Sequence, residues 1–167
     1  MTAARRNRKL WFWPGLKGVA LAAALVAAVT PLVDAATTER IVVDRHTGLA
    51  IHGFDPVAYF TDARAAVGRA EMELSYGGVV WRFRNPGNRT AFAERPDVYM
   101  PRFGGYDPTA LARGVAVPGH PQLWLIRDDR LYLFHSQEAR DAFTADPLPA
   151  IAAARANWPE VLRGLVP

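Results

Sequence analysis

Four histidines, His46, His52, His120 and His135, are the side chains of widest chemical reach in this 167-residue chain. None has a neighbour at the HxH or HxxxH spacing that puts two imidazoles on one metal ion. A metal site would have to assemble in space. His52 stands just before the first expected helix and His135 at the end of the fourth expected strand. Asp55 and Asp107 hold nearly equivalent places in two similar stretches of chain. On this reading His52, Asp107 and His135 are the candidate ligands of a metal ion of unstated identity. The competing reading makes the aspartates helix caps and the histidines surface or rim residues.

A second candidate is the run Phe103-Gly104-Gly105-Tyr106-Asp107. Paired glycines let backbone approach closely, either to a ligand or to another part of the fold. Aromatic rings on both sides can wall a small-molecule pocket. Other chemistries are poorly supplied. With no cysteine, disulfides, thiolate catalysis and zinc–cysteine sites are excluded. The only serines are Ser75 and Ser136. Neither sits in a G-x-S-x-G elbow, and Ser136 reads as a helix cap. Gly104-Gly105 lacks the GxxxxGK context of a phosphate loop. Asn88-Arg89-Thr90 matches a glycosylation acceptor only by chance, inside an expected helix. No residue is assigned a catalytic role.

The elements that must position these residues are repeated. Gly53, Gly77-Gly78, Trp81-x-Phe83, Arg89-x-Ala91-Phe92 and Pro96 return 51 residues later. Their counterparts are Gly104, Asp128-Asp129, Tyr132-x-Phe134, Arg140-x-Ala142-Phe143 and Pro147. Met72, Leu74 and Tyr76 alternate with Glu71, Glu73 and Ser75, and Val79, Trp81 and Phe83 alternate with Val80, Arg82 and Arg84. Period two of this kind is that of half-buried strands, and Gly77-Gly78 suits a two-residue hairpin turn. Asp55-Pro56, Asn85-Pro86 and Asp107-Pro108 begin helices, with an N-cap followed by proline at the first helical position. Each repeat is thus a small helix, a β-hairpin and a capped helix. The expected fold is α+β: a small antiparallel sheet made by pairing two pseudo-repeated hairpins, with short helices packed on it. The repeats run over about 52–96 and 104–147, and a C-terminal helix over about 149–165.

Charge divides the chain. Arg5, Arg6, Arg8, Lys9 and Lys17 precede the uncharged, Ala/Val/Leu-rich stretch 18–33. A basic region, a short apolar core and the small-residue site Val33-Asp34-Ala35 make residues 1–35 a secretory signal or, uncleaved, a membrane anchor over residues 16–33. Either form exports a single domain, residues 36–167, to the periplasm or beyond. The net charge of +4 belongs to this leader, because residues 36–167 hold 15 Arg and 15 acidic residues. A neutral domain gives no support to nucleic-acid binding. The expected partners are a small ligand or a membrane or periplasmic protein.

The combination Gly53-Phe54-Asp55-Pro56-Val57-Ala58-Tyr59-Phe60, Trp81-x-Phe83, Asn88-Arg89-x-Ala91-Phe92, Pro96-x-x-Tyr99-x-Pro101 and Phe103-Gly104-Gly105-Tyr106 resembles the YHS-domain proteins of the exported bacterial type. So does the closing Asn157-Trp158-Pro159-x-Val161-Leu162. The resemblance spans roughly residues 50–165. It implies a small α+β binding module, often associated with metal, rather than an enzyme. Members of this type commonly carry cysteine after Gly-Gly-Tyr, where this chain has Asp107. Loss of that sulfur argues against copper(I) and leaves a harder ion or a degenerate site. Three functions follow as expectations. The first is a non-catalytic small-ligand or metal-binding module at Phe103–Asp107. The second is a structural or partner-binding domain at the outer face of the membrane. The third is an enzyme using His and Asp as acid and base.

Overall fold

Two-residue turns set the two hairpins. β1 (Arg69–Tyr76) pairs antiparallel with β2 (Val79–Phe83) across Gly77 and Gly78, whose φ angles are 64° and 83°. β3 (His120–Arg127) pairs with β4 (Arg130–Phe134) across Asp128 and Asp129, at 49° and 53°. Both turns need two left-handed residues. Glycine adopts that conformation freely, and aspartate tolerates it better than most side chains. The structure is a computed structural model that describes residues 40–165. The proposed leader and its anchor segment lie outside them.

Six α-helices accompany the strands among the described residues. They are α1 (Ala58–Thr61), α2 (Pro86–Glu94), α3 (Pro96–Tyr99), α4 (Pro108–Leu111), α5 (Gln137–Ala145) and α6 (Pro147–Leu165). Three starts follow the caps read from the sequence, whereas α1 begins at Ala58 with Val57 at its N-cap and no side-chain cap, beyond the start expected at Asp55-Pro56. Asn85 accepts a bond from the Asn88 N–H, Asp107 from that of Thr109 and Ser136 from that of Ala139. The C-terminal helix begins two residues earlier than the expected 149, with Pro147 at its first position. A proline there sacrifices no helical donor. No described helix is long and apolar enough to cross a membrane.

The repeat extends to irregular backbone. Both hairpins shift register at the same place, between Arg69 and Glu73 and between His120 and Trp124. Ahead of each lies a turn of three left-handed residues. In the first copy these are Ile51, His52 and Gly53 (42°, 56°, 75°), in the second Phe103, Gly104 and Gly105 (54°, 63°, 93°). The structural counterpart of Gly53 is therefore Gly105, one residue beyond the Gly104 suggested by the spacing of 51. The offset is 52 through Asp55 and Asp107 and returns to 51 by Ala66 and Val117, which accept the N–H groups of those aspartates.

The α+β class with antiparallel hairpins and short helices is observed, but the hairpins form two separate two-stranded sheets instead of joining into one. The reason lies in β4. Its Tyr132 and Phe134 pack with Phe143, Leu111, Ile151 and Ala154, while Leu131 and Leu133 on the opposite face pack with Trp81, Phe83 and Phe92. A strand apolar on both faces must be covered on both, and edge-to-edge pairing would cover neither. The second hairpin is thus a wall between two clusters, and side-chain packing joins the halves.

Two further ties cross the domain. The Tyr59 hydroxyl donates to the Pro121 carbonyl at 2.9 Å, and its ring meets Trp124 edge-on at 5.2 Å. Burial, with the Asp55 charge adding to it, pushes the Tyr59 phenol far above its usual range. The N-terminal segment binds both halves: the Val42 N–H reaches the Gly104 carbonyl at 2.8 Å, and the Ala50 N–H reaches that of Val80 at 2.9 Å.

Candidate functional site

A fully buried aspartate sits at the start of the small helix in each repeat, and its partners separate the two copies. In the first, Asp55 Oδ1 accepts the N–H groups of Val57 and Ala58, and Oδ2 those of Arg84 and the Asn88 side-chain amide. Every bond is to a neutral donor in the interior. Asn88 is thereby committed to the core, which removes it as a glycosylation acceptor.

In the second copy, Asp107 Oδ1 accepts from the Thr109 N–H and hydroxyl, both at 2.7 Å. Oδ2 accepts from the His135 N–H at 2.9 Å and meets His135 Nδ1 at 2.5 Å. The position of Asn88 is taken by Ala139, so the imidazole supplies the contact that the amide makes in the first copy. The His135 side chain remains 37% exposed. A buried carboxylate at Nδ1 fixes the ring and leaves Nε2 as its second polar atom. Glu138 lies nearby. Its carboxyl is held below the usual range, first by its own N–H, then by the Ser136 hydroxyl, with the His135 charge contributing.

His52 does not join this pair. Its Nδ1 faces Asp44 Oδ2 at 3.3 Å, and it lines a separate cleft of about 380 Å3 with Val42, Val43, Arg45, His46 and Pro118. Among the described residues, no three His, Cys, Asp or Glu side chains gather as a metal group. The His52, Asp107 and His135 ligand set expected from the sequence is therefore corrected to a two-residue pair, with His52 elsewhere. The cause is His52's place in the left-handed turn, where the adjoining Asp44 loop engages it.

That loop carries a testable acid response. The Thr47 N–H chiefly, together with its hydroxyl, the His46 N–H and His52, holds the Asp44 carboxyl down at about 2. A depressed carboxylate contributes stability fully above its ordinary range of about 4 and loses that contribution as pH falls through the folded value. Asp44→Asn is expected to flatten the acid limb of stability between roughly pH 4 and 2. An NMR titration placing the Asp44 midpoint near 4 would contradict it.

The Phe103–Asp107 run divides by role. A Cβ on Gly104 would lie 1.9 Å from the Arg40 carbonyl oxygen, so this glycine admits the N-terminal segment. Tyr106 is buried, as is Asp107, and both Phe103 and Tyr106 pack on Trp158 at ring separations of 5.8 and 6.0 Å. These contacts correct the expectation of two aromatic pocket walls, because α6 occupies the face that Tyr106 would have offered. Phe103 and Gly104 do border an open cleft of about 330 Å3, closed by Asp97, Met100, Pro101, Arg102, Arg155 and Trp158. A third cleft, of about 460 Å3, lies at Phe60, Arg95, Val98, Tyr99, Asp128, Asp129 and Arg130.

The cleft residues that sequence reasoning missed are Asp97, Arg102 and Arg155. One signal was available: Arg155 and Trp158 are three apart on a helix and share a face. Nothing in the sequence placed that face over residues 97–104. Family models, curated proteins and solved structures provide no match to this chain.

Proposed function

We propose that the domain is an exported, non-catalytic small-ligand-binding module of YHS type, with its ligand in the cleft beside the Phe103-Gly104 turn. The observation carrying this reading is the composition of the cleft: backbone at a glycine, the Trp158 ring, and arginine side chains without ion-pair partners among the described residues. A few polar groups set against an aromatic wall form the usual pattern of a small-molecule site. A small molecule suits this cleft better than a metal ion, since its only carboxylate is Asp97 and it holds no histidine.

Acid–base catalysis by His135 and Asp107 is the second reading, and their 2.5 Å contact favours it. Binding is preferred because His135 lines none of the three clefts described above. Trp158 provides the test. Titration of the purified domain with a small-molecule panel is expected to change its fluorescence saturably, and Trp158→Phe to remove the change. A panel without any saturable response, alongside capture of one membrane protein, would favour the partner-binding alternative.

Export rests on the leader read from the sequence. Fractionation of cells producing the full chain is expected to place it in the periplasmic or membrane fraction. A chain lacking residues 1–35 should remain inside, and equal distribution of the two forms would refute export.

A further inference from the structure

We infer that the cleft between residues 97–104 and α6 takes a small organic zwitterion, with a carboxylate or phosphate at one end and an ammonium at the other. The inference rests on the binding-module reading and adds the ligand's charge pattern. Three charged side chains line the cleft: Arg102, Arg155 and Asp97. None forms an ion pair with another described residue. Arg64, Arg82, Arg84, Arg127, Arg140 and Arg163 each face a carboxylate, whereas Arg95 and Arg130 of the third cleft are unpaired as well, so what marks this cleft is the Trp158 wall and the Arg102 guanidinium beside it. Charges left unpaired around one concavity make it complementary to a ligand of the opposite pattern.

Arg102 adds an independent observation. Its Nε is buried and has no hydrogen-bond acceptor. A buried donor without a partner is uncommon in a folded protein and calls for an explanation. The head group also lies 5.8 Å from the Phe103 ring centre, which limits where it can move. Arg127 Nε is orphaned in the same way outside the three clefts, so the orphan alone does not mark a site; an anionic group entering the cleft beside Phe103 would have the Arg102 and Arg155 guanidinium groups as counter-charges. Planar guanidinium groups favour carboxylate and phosphate oxygens because two N–H groups can address one anion.

Asp97 supplies the opposite polarity. The Asp97 carboxylate lines the same space, while its backbone carbonyl is engaged by Arg130 at 3.4 Å. A ligand ammonium thus has the carboxylate as its counter-charge. A plain anion would meet Asp97 as a like charge and bind less well. The cavity, at about 330 Å3, is near the lower end of the roughly 300–1,000 Å3 range of small-molecule pockets. A compact ligand fits that volume, with Trp158 as its apolar wall. In the first repeat the counterpart of α6 is α3, only 4 residues long against 19, so the duplication alone does not make this site.

Trp158 fluorescence and calorimetry on the exported domain test the inference with β-alanine and phosphoethanolamine as zwitterions. Succinate and inorganic phosphate serve as anions, tetramethylammonium as a cation and indole as a neutral ring. The zwitterions are expected to bind best. Arg155→Gln, at an exposed position, is expected to weaken their binding by about tenfold or more, the usual effect of losing one hydrogen bond to a charged group. Asp97→Asn is expected to abolish the preference for zwitterions over anions. Saturable binding of indole or tetramethylammonium alone would overturn the charge pattern and leave the binding module standing. Absence of binding by every probe would overturn both. Anions binding as well as zwitterions, with no change in Asp97→Asn, would overturn the role of the ammonium. Binding to phosphatidylethanolamine vesicles without binding of soluble phosphoethanolamine would overturn the assignment to a small soluble ligand.

Discussion

Gly104→Ala is expected to destabilise the domain by about 3 kcal/mol or more, as a clash is added to backbone strain. The added Cβ would stand 1.9 Å from the Arg40 carbonyl oxygen and 2.9 Å from its carbon. Both are backbone atoms, so no rotamer change relieves the contact. The residue also sits at φ 63°, where a side chain costs about 1–2 kcal/mol. Moving Arg40 away would strain the bond from the Val42 N–H to the Gly104 carbonyl, which ties the N-terminal segment to the second repeat. Gly114→Ala supplies the comparison. Its φ is 76°, yet nothing lies within 4 Å of the added Cβ. It should cost only the strain, about 1–2 kcal/mol. Urea unfolding of the two variants separates the contributions. Equal losses would show that the Arg40 crossing is not what requires glycine at 104.

Asp107→Ala is expected to cost about 3–5 kcal/mol, the range for removing one partner of a buried charge network. The substitution strips acceptors from the Thr109 N–H and hydroxyl and from the His135 N–H and ring, and leaves a void at the start of α4. Thr109→Val removes only the hydroxyl bond and should cost about 1 kcal/mol. His135→Ala leaves the carboxylate buried with the ring bond lost, and about 1.5–3 kcal/mol is expected. Asp55→Ala should match Asp107→Ala in stability, since Asp55 is equally buried and has four donors of its own. Chemical unfolding of these variants checks the series. A loss below about 1 kcal/mol for Asp107→Ala would mean that the carboxylate does not organise this junction. Asp55 and Asp107 act alike here: Oδ1 accepts N–H groups on the approach to the small helix, as the cap itself only for Asp107, and Oδ2 clamps the end of a hairpin strand.

Much of the local structure was legible because it depends on neighbours in sequence. Alternation of Trp81 and Phe83 with Arg82 and Arg84 marks one buried face, and Gly77-Gly78 can only be a tight turn between such strands. Asn85-Pro86 and Ser136 announce their helices through caps that reach three residues along the chain. The spacing of 51 revealed the repeat. Its local slip to 52 was hidden, because Gly104 and Gly105 are adjacent and only their backbone angles distinguish which one answers Gly53. The mistaken single sheet had a visible counter-signal. Leu131-Tyr132-Leu133-Phe134 is apolar at every position, as a strand covered on both faces must be.

By itself, the sequence determined the α+β composition, the two hairpins, their caps and the aspartate common to both repeats. Each follows from backbone sterics and short-range hydrogen bonding. Tertiary structure decided the rest: that β4 separates two clusters, that Asp107 meets His135 while His52 turns to Asp44, and that α6 brings Arg155 and Trp158 beside Arg102 and Phe103. Except for His52 and Asp44, which are near in sequence, those contacts join residues tens of positions apart, and packing of whole apolar faces selects them. No spacing rule encodes such a choice, because the faces that meet are set by volume and burial rather than by distance along the chain.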